Sequence, residues 1–220
     1  MMIRLNKTAN AANTSRVKDS GMTLTELLIS MGIFTTVIAL FMGAVVFMTH
    51  NTARASAVSD SGDEVRRAFQ RLDREVRYAS AINWPGTGSG GTWYVEYLMS
   101  DVEAGEAEQC VQWRVTRDTH ELQRRDWDRD TSAVSAWVTV ASDVRNDPVL
   151  GDPEPFILRP ANPQYDNQRL EIDLRIRPNE STDSAGAGLE AIFVARNTGA
   201  VTTTNSPSNP PVCLQGVGRP

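Results

Sequence analysis

The chain has 220 residues, of which 40% are hydrophobic and 22% charged, and its formal net charge is −5. That length suits one globular domain plus an additional element. The acidic balance argues against a nucleic-acid binder, because a phosphate backbone selects for excess Lys and Arg.

The charge is unevenly placed. Residues 1–21 carry Arg4, Lys7, Arg16 and Lys18 against Asp19 alone, a net +3 that leaves −8 for the rest. A basic start before an apolar stretch fits the positive-inside rule, with the N-terminus cytoplasmic and the acidic remainder outside the cytoplasm. Lys7 and Lys18 are the only lysines. A general preference for Arg is the better account of that composition, and either way a chain beginning beyond Gly21 has no lysine amine for an intersubunit isopeptide bond.

Residues 22–48 read MTLTELLISMGIFTTVIALFMGAVVFM, and from Leu27 onward there is no charge. As a helix the uncharged run spans about 33 Å, enough for a bilayer core. A cleaved secretory signal has a shorter apolar core followed by a small-residue site. Ala53-Arg54-Ala55 and Ala55-Ser56-Ala57 resemble such a site, but the run before them is too long. A plain anchor explains the length and leaves Glu26 unexplained. An acid at membrane depth costs roughly 2.5–3.5 kcal/mol and usually has a functional partner, unless it lies at the interface.

The stretch from Ser20 to Met31, SGMTLTELLISM, resembles the prepilin signal of the type IV pilin family. Basic leader, glycine, an acid at fixed spacing and a long apolar helix occur together. The resemblance implies cleavage after Gly21, N-methylation of the new terminus at Met22, and Glu26 as the acid fifth from that terminus. Thr23 departs from the apolar residue common at the second mature position. Gly21 has no Cβ and lets a peptidase approach the Gly21–Met22 bond closely. In a packed filament Glu26 would face the Met22 amine of a neighbour, and pairing reduces the cost each charge bears alone.

After the polar residues 50–62, Val65, Phe69, Leu72, Val76 and Ala79 form one apolar stripe at helical spacing. A continuous helix from about Leu24 to Ser80 would be roughly 85 Å long; Gly62 leaves open an anchor followed by a separate helix. FQRLDREVRYAS, with Arg71, Asp73, Arg74 and Arg77, also resembles the J-type minor pseudopilins of type II secretion and the W-type minor pilins. The residues alone also read as a solvated face with i,i+4 pairs.

Pro85 is expected to end the helix, and residues 86–91, GTGSGG, read as a flexible connector. Strand patterns follow at Trp93 to Leu98, at Val111, Trp113 and Val115, and at Glu121 to Trp127 across an Asp118-Thr119-His120 turn. Shorter ones occupy Trp137 to Val140 and Phe156 to Leu158. Leu170, Ile172, Leu174 and Ile176 alternate strictly, and Leu189 to Ala195 is a further strand. The fold class is therefore α+β, a long N-terminal helix packed on an antiparallel sheet. The expected organisation is a basic leader at 1–21, a membrane and assembly helix at 22–48, its amphipathic continuation at 49–84, and an extracytoplasmic β-rich domain at 85–220. The tail at 197–211, rich in Thr, Asn, Ser and Pro, reads as an extended surface segment. Cys110 and Cys213 are the only cysteines. An exported domain favours a disulfide, sequence alone leaves open whether the two meet, and the pilin resemblance implies a bond that secures the C-terminal region.

No constellation for catalysis or metal binding stands out. His50 and His120 lack partners in sequence, and Asp126, Asp128 and Asp130 fit a calcium loop poorly because Thr131 and Trp137 hold its glycine and final-acid positions. Asn179-Glu180-Ser181 is a glycosylation sequon of a kind common by chance. The expectation is a non-enzymatic, single-pass structural subunit without cofactor, of a type IV pilus or type II secretion-like pseudopilus, minor in type. Its implied partners are other pilin or pseudopilin subunits, prepilin peptidase, the inner-membrane assembly platform and, before assembly, membrane lipid. The alternative is a membrane-anchored extracytoplasmic binding protein that does not polymerise.

Overall fold

A computed structural model of the chain describes residues 21–100, 108–130, 133–147, 151–177, 187–213 and 218–220. The chain falls into two compact units, Met1–His50 and Asn51–Pro220. The helix α1, Leu24–Arg77, supplies the described helical part of the first unit and the N-terminal part of the second.

In the second unit Val65, Ala68, Leu72 and Val76 are fully buried, at spacings of three and four. This is the stripe that the sequence spacing predicts, with Ala68 on it and Phe69 at its half-buried margin. Burying a side chain such as Leu72 contributes about 1.5–3 kcal/mol.

The helix ends at Arg77, short of the expected Ser80 and well before Pro85. Residues Ala79–Ile82 form strand β1 instead. Its partner β3, Trp93–Met99, offers an open edge, and the pairs Ala81 with Leu98 and Ile82 with Tyr97 satisfy backbone groups that a longer helix would have to satisfy itself. The expected flexible connector is also structured. Gly86–Thr87 is the short strand β2, and Ser89–Gly91 makes a 3-10 turn in which Gly90 and Gly91 have φ of +67° and +76°, values that favour glycine.

Two antiparallel sheets follow. The first orders β1 beside β3 (Trp93–Met99), β4 (Gln109–Val115), β5 (Leu122–Asp128) and β6 (Val138–Ala141), with β2 also on β3. The second orders β7 (Phe156–Arg159), β8 (Arg169–Ile176) and β9 (Ala187–Val194). A bridge between Val144 and Ile176 joins the segment after β6 to the end of β8. The single sheet expected from sequence is thus two, and both contribute to one core with the helix. Val95, Tyr97, Val111, Trp113 and Leu122 come from the first, and Phe156, Leu170, Ile172, Leu174 and Ile176 from the second.

The tail is more than a surface segment. Thr204 is buried, its carbonyl accepts a hydrogen bond from the Trp84 indole at 3.0 Å, and Asn205 bonds the backbone of Ala161 through both ends of its amide. Farther on, Val212, Cys213 and residues 218–220 lie against the face of the first sheet that α1 does not cover. Strand β3 is consequently buried on both sides from Tyr94 to Leu98.

Candidate functional site

The processing and assembly residues sit where the chain enters α1. Gly21 and Met22 are exposed and precede the helix, with Met22 71% exposed. Thr23 caps it. Its Oγ1 accepts the Glu26 backbone N–H at 3.4 Å, and its carbonyl accepts the Leu27 N–H at 3.2 Å. Thr23-x-x-Glu26 is therefore the start of a capping box, in which an acid in the first turn also meets the positive end of the helix dipole. Among the described residues no hydrogen bond or ion pair reaches the Glu26 carboxylate, so Glu26 stands exposed at the mouth of the apolar segment. The basic leader lies outside the described residues, apart from Gly21.

Leu24–Ala53 is long and apolar enough to cross a membrane, and no part of it is buried within the protein. Large side chains such as Leu24, Phe34, Leu40 and Phe47 are 64–77% exposed. Its hydroxyls do not present free donors. Ser30, Thr35, Thr36 and Thr49 each donate to a carbonyl three or four residues back, at 2.8–3.0 Å. Polar groups satisfied along their own helix suit an apolar medium. The segment therefore exposes apolar surface on every side and needs lipid or other helices to cover it.

Two buried carboxylates organise the second unit. Glu75 projects from α1 onto the first sheet. The Tyr97 hydroxyl donates to it at 2.5 Å, the Trp113 indole donates to Tyr97 at 2.7 Å, and Arg71 and Arg124 reach it at 2.8 and 3.1 Å. Burial, then the charge of Glu75, push the Tyr97 phenol well above its ordinary range, so it stays a donor. The cluster ties one turn of α1 to β3, β4 and β5.

Glu96 lies on the opposite face of β3, fully buried. Asn83 and Gln112 donate to it at 3.2 and 2.9 Å, and Arg219 donates twice, at 2.9 and 2.7 Å. Arg219 also donates to the Trp84 carbonyl, Gln112 to that of Gly218, and Asn83 exchanges two hydrogen bonds with the backbone of Val212. Cys110 and Cys213 are joined in a disulfide, with Cα atoms 5.5 Å apart. Ala81, Leu98 and Trp127 pack beside it. Crosslink and ion pair together hold the tail as a strap. The pairing of the two cysteines was open in the sequence, and the partnership of Glu96 with Arg219 carries no signal there.

Other candidates take structural places. Asp126 and Asp128 belong to β5, where Asp126 pairs with Arg124 at 2.8 Å and with Ser135. His120 has φ of +56° in the β4–β5 turn and its carbonyl accepts the Val144 N–H. Among the described residues no group of three His, Cys, Asp or Glu is placed to hold a metal. Thr131 and the sequon at 179–181 lie outside the described residues.

Comparison with known proteins found no matching family model, no matching curated protein and no matching solved structure.

Proposed function

We propose that the protein is a subunit of a type IV pilus or a type II secretion-like pseudopilus, cut by prepilin peptidase after Gly21 and assembled through α1. The observation that supports this reading most is the combination at the head of the helix. Glu26 stands exposed in its first turn, four residues after Met22, and thirty residues of uncovered apolar helix begin at Leu24. A plain anchor needs the apolar length, and to it the acid offers no more than a first-turn interaction with the helix dipole. Farther along, the same helix lays a buried stripe on an antiparallel sheet.

In this reading the uncovered apolar face is taken up first by lipid and then by neighbouring helices, with the assembly platform and the peptidase acting at the cytoplasmic side. Glu26 then pairs with the Met22 amine of the next subunit. The subunit is of the minor kind, helping to begin or cap a filament, in keeping with the arginine pattern of residues 71–77.

The N-terminus and mass of the protein isolated from native membranes test this directly. A chain starting at N-methylated Met22 is the expected result. A start at Met1 or Met2 would favour an anchored binding protein that does not polymerise. Glu26→Ala should leave membrane insertion intact and reduce incorporation into filaments. Normal incorporation would remove Glu26 from the mechanism.

A further inference from the structure

The arginines that pack on the first sheet fall into two groups. Arg124 pairs with Glu75 and Asp126, and Arg219 of the strap pairs with Glu96. Arg114 and Arg125, half-buried on the strap face, have no carboxylate partner among the described residues. Each is held by a glutamine instead. Arg114 Nε donates to Gln123 and Arg125 Nε to Gln112, both at 2.7 Å. A neutral acceptor aims a guanidinium without neutralising it. The nearby acids are engaged elsewhere, Glu96 with Arg219, and Glu121 as acceptor from Thr119 and Gln123.

Both guanidinium groups also lie over one ring. Their Cζ atoms are 4.0 and 4.3 Å from the centre of the Trp137 indole. Backbone bonds fix the segment that carries Trp137. Ser135 N–H donates to the Asp126 carbonyl, Asp126 N–H donates to Ser135 Oγ, and Val138 pairs with Arg124. An indole face attracts cations but has no charge to balance two of them. Burial, then the charge of Arg114, hold Arg125 below the ordinary arginine value, and Glu96 offsets only part of this. Arg125 Nη2 is buried with no hydrogen-bond partner among the described residues, a condition that native structures rarely leave without a reason.

We propose that Arg114, Arg125 and Trp137 form a binding site for a phosphate monoester. Two unneutralised guanidinium groups call for two negative charges on one group. A carboxylate offers one, whereas a phosphate monoester carries about −1.5 to −2 near neutral pH and has three oxygens for both arginines to share. The phosphate is free or is borne by a sugar or a lipid head group. The site is on the sheet face that α1 does not cover and needs neither cleavage at Gly21 nor filament assembly, so it stands or falls apart from the subunit reading.

The full-length protein in phosphatidylcholine nanodiscs is titrated with inorganic phosphate at constant ionic strength and read by calorimetry and tryptophan fluorescence. Saturable binding is expected, with acetate far weaker and the fluorescence change lost in Trp137→Phe. Arg114→Gln and Arg125→Gln should each weaken binding by about tenfold or more. Arg114→Lys with Arg125→Lys keeps the charges and should retain weakened binding. Phosphate should raise the unfolding midpoint of the unmodified protein and not that of the glutamine variants. No saturable binding by the folded protein, acetate equal to phosphate, or folded glutamine variants that bind as well as the unmodified protein would each overturn the site. Three results keep it and identify the source. Tighter binding of glucose 6-phosphate than of inorganic phosphate places the group on a sugar. Discs containing phosphatidic acid that abolish the titration place it on a lipid. Equal binding of the two soluble probes points to the free anion.

Discussion

The two faces of the first sheet are closed in different ways. On one, α1 buries a stripe of aliphatic residues and adds Glu75, held by Tyr97, Arg71 and Arg124. On the other, the strap buries few apolar side chains, and a disulfide and the Glu96–Arg219 pair hold it. Each face carries a buried acid with its cation. Only one has enough apolar area behind it to stay closed without a covalent tie, because apolar burial scales with area and a buried ion pair offsets its own desolvation at best.

The largest effect should come from the crosslink. Cys110→Ser with Cys213→Ser releases a sequence separation of 103 residues, for which the chain-entropy estimate is about 4–5 kcal/mol. Denaturant unfolding of the oxidised and double-serine proteins reads it, and hydrogen exchange should show the strap opening while α1 from Val65 to Val76 stays protected. Equal loss of protection on both faces would break the contrast. Leu72→Ala on the helix face should cost about 3–4 kcal/mol, the range for a buried leucine leaving a cavity, and should loosen the helix face and the second sheet, which share the core that Leu72 belongs to, more than the strap. Arg219→Met leaves Glu96 buried beside neutral donors only and should cost about 3 kcal/mol. Adding Glu96→Gln should recover much of that loss, a coupling that a purely apolar role for Arg219 would not produce.

The smallest effect lies away from both faces. Asp152 accepts two hydrogen bonds from Arg177, at 2.6 and 2.7 Å, and these hold its carboxyl below its ordinary value. A lowered folded pKa means that its contribution is present above the unfolded value of about 3.9 and is lost as the pH falls through the folded one. Acid titration of stability should therefore be shallower for Asp152→Asn below about pH 4, while the contrast between the two sheet faces persists.

Much of the helix face was legible in the sequence. The spacing of Val65, Leu72 and Val76 marks a helix stripe, and Leu170, Ile172, Leu174 and Ile176 mark a strand with one core face, because both patterns follow from backbone periods alone. The strap face was not. In β3 the alternation Tyr94, Glu96, Leu98 reads as a half-solvated side, and nothing local says that Arg219, more than a hundred residues away, covers Glu96. The helix end was misplaced for a similar reason. Tyr78-Ala79-Ser80-Ala81-Ile82 has no breaker, and the edge of β3 decides its conformation. At the head of α1 the motif was readable, yet Thr23, taken only as a departure from the usual residue, is the cap that begins the helix. Which acid on the helix goes inward was also hidden. Asp73 and Glu75 are two residues apart, and only Glu75 turns to the sheet.

The disulfide has a mechanical consequence for an anchored protein. Tension applied through α1 can draw out only the chain outside the loop between Cys110 and Cys213. The 103-residue separation between them withholds about 350 Å of contour length at full extension. Single-molecule stretching of the oxidised protein should end short by roughly that amount relative to the reduced one, so the β-domain would act as a stop of fixed reach.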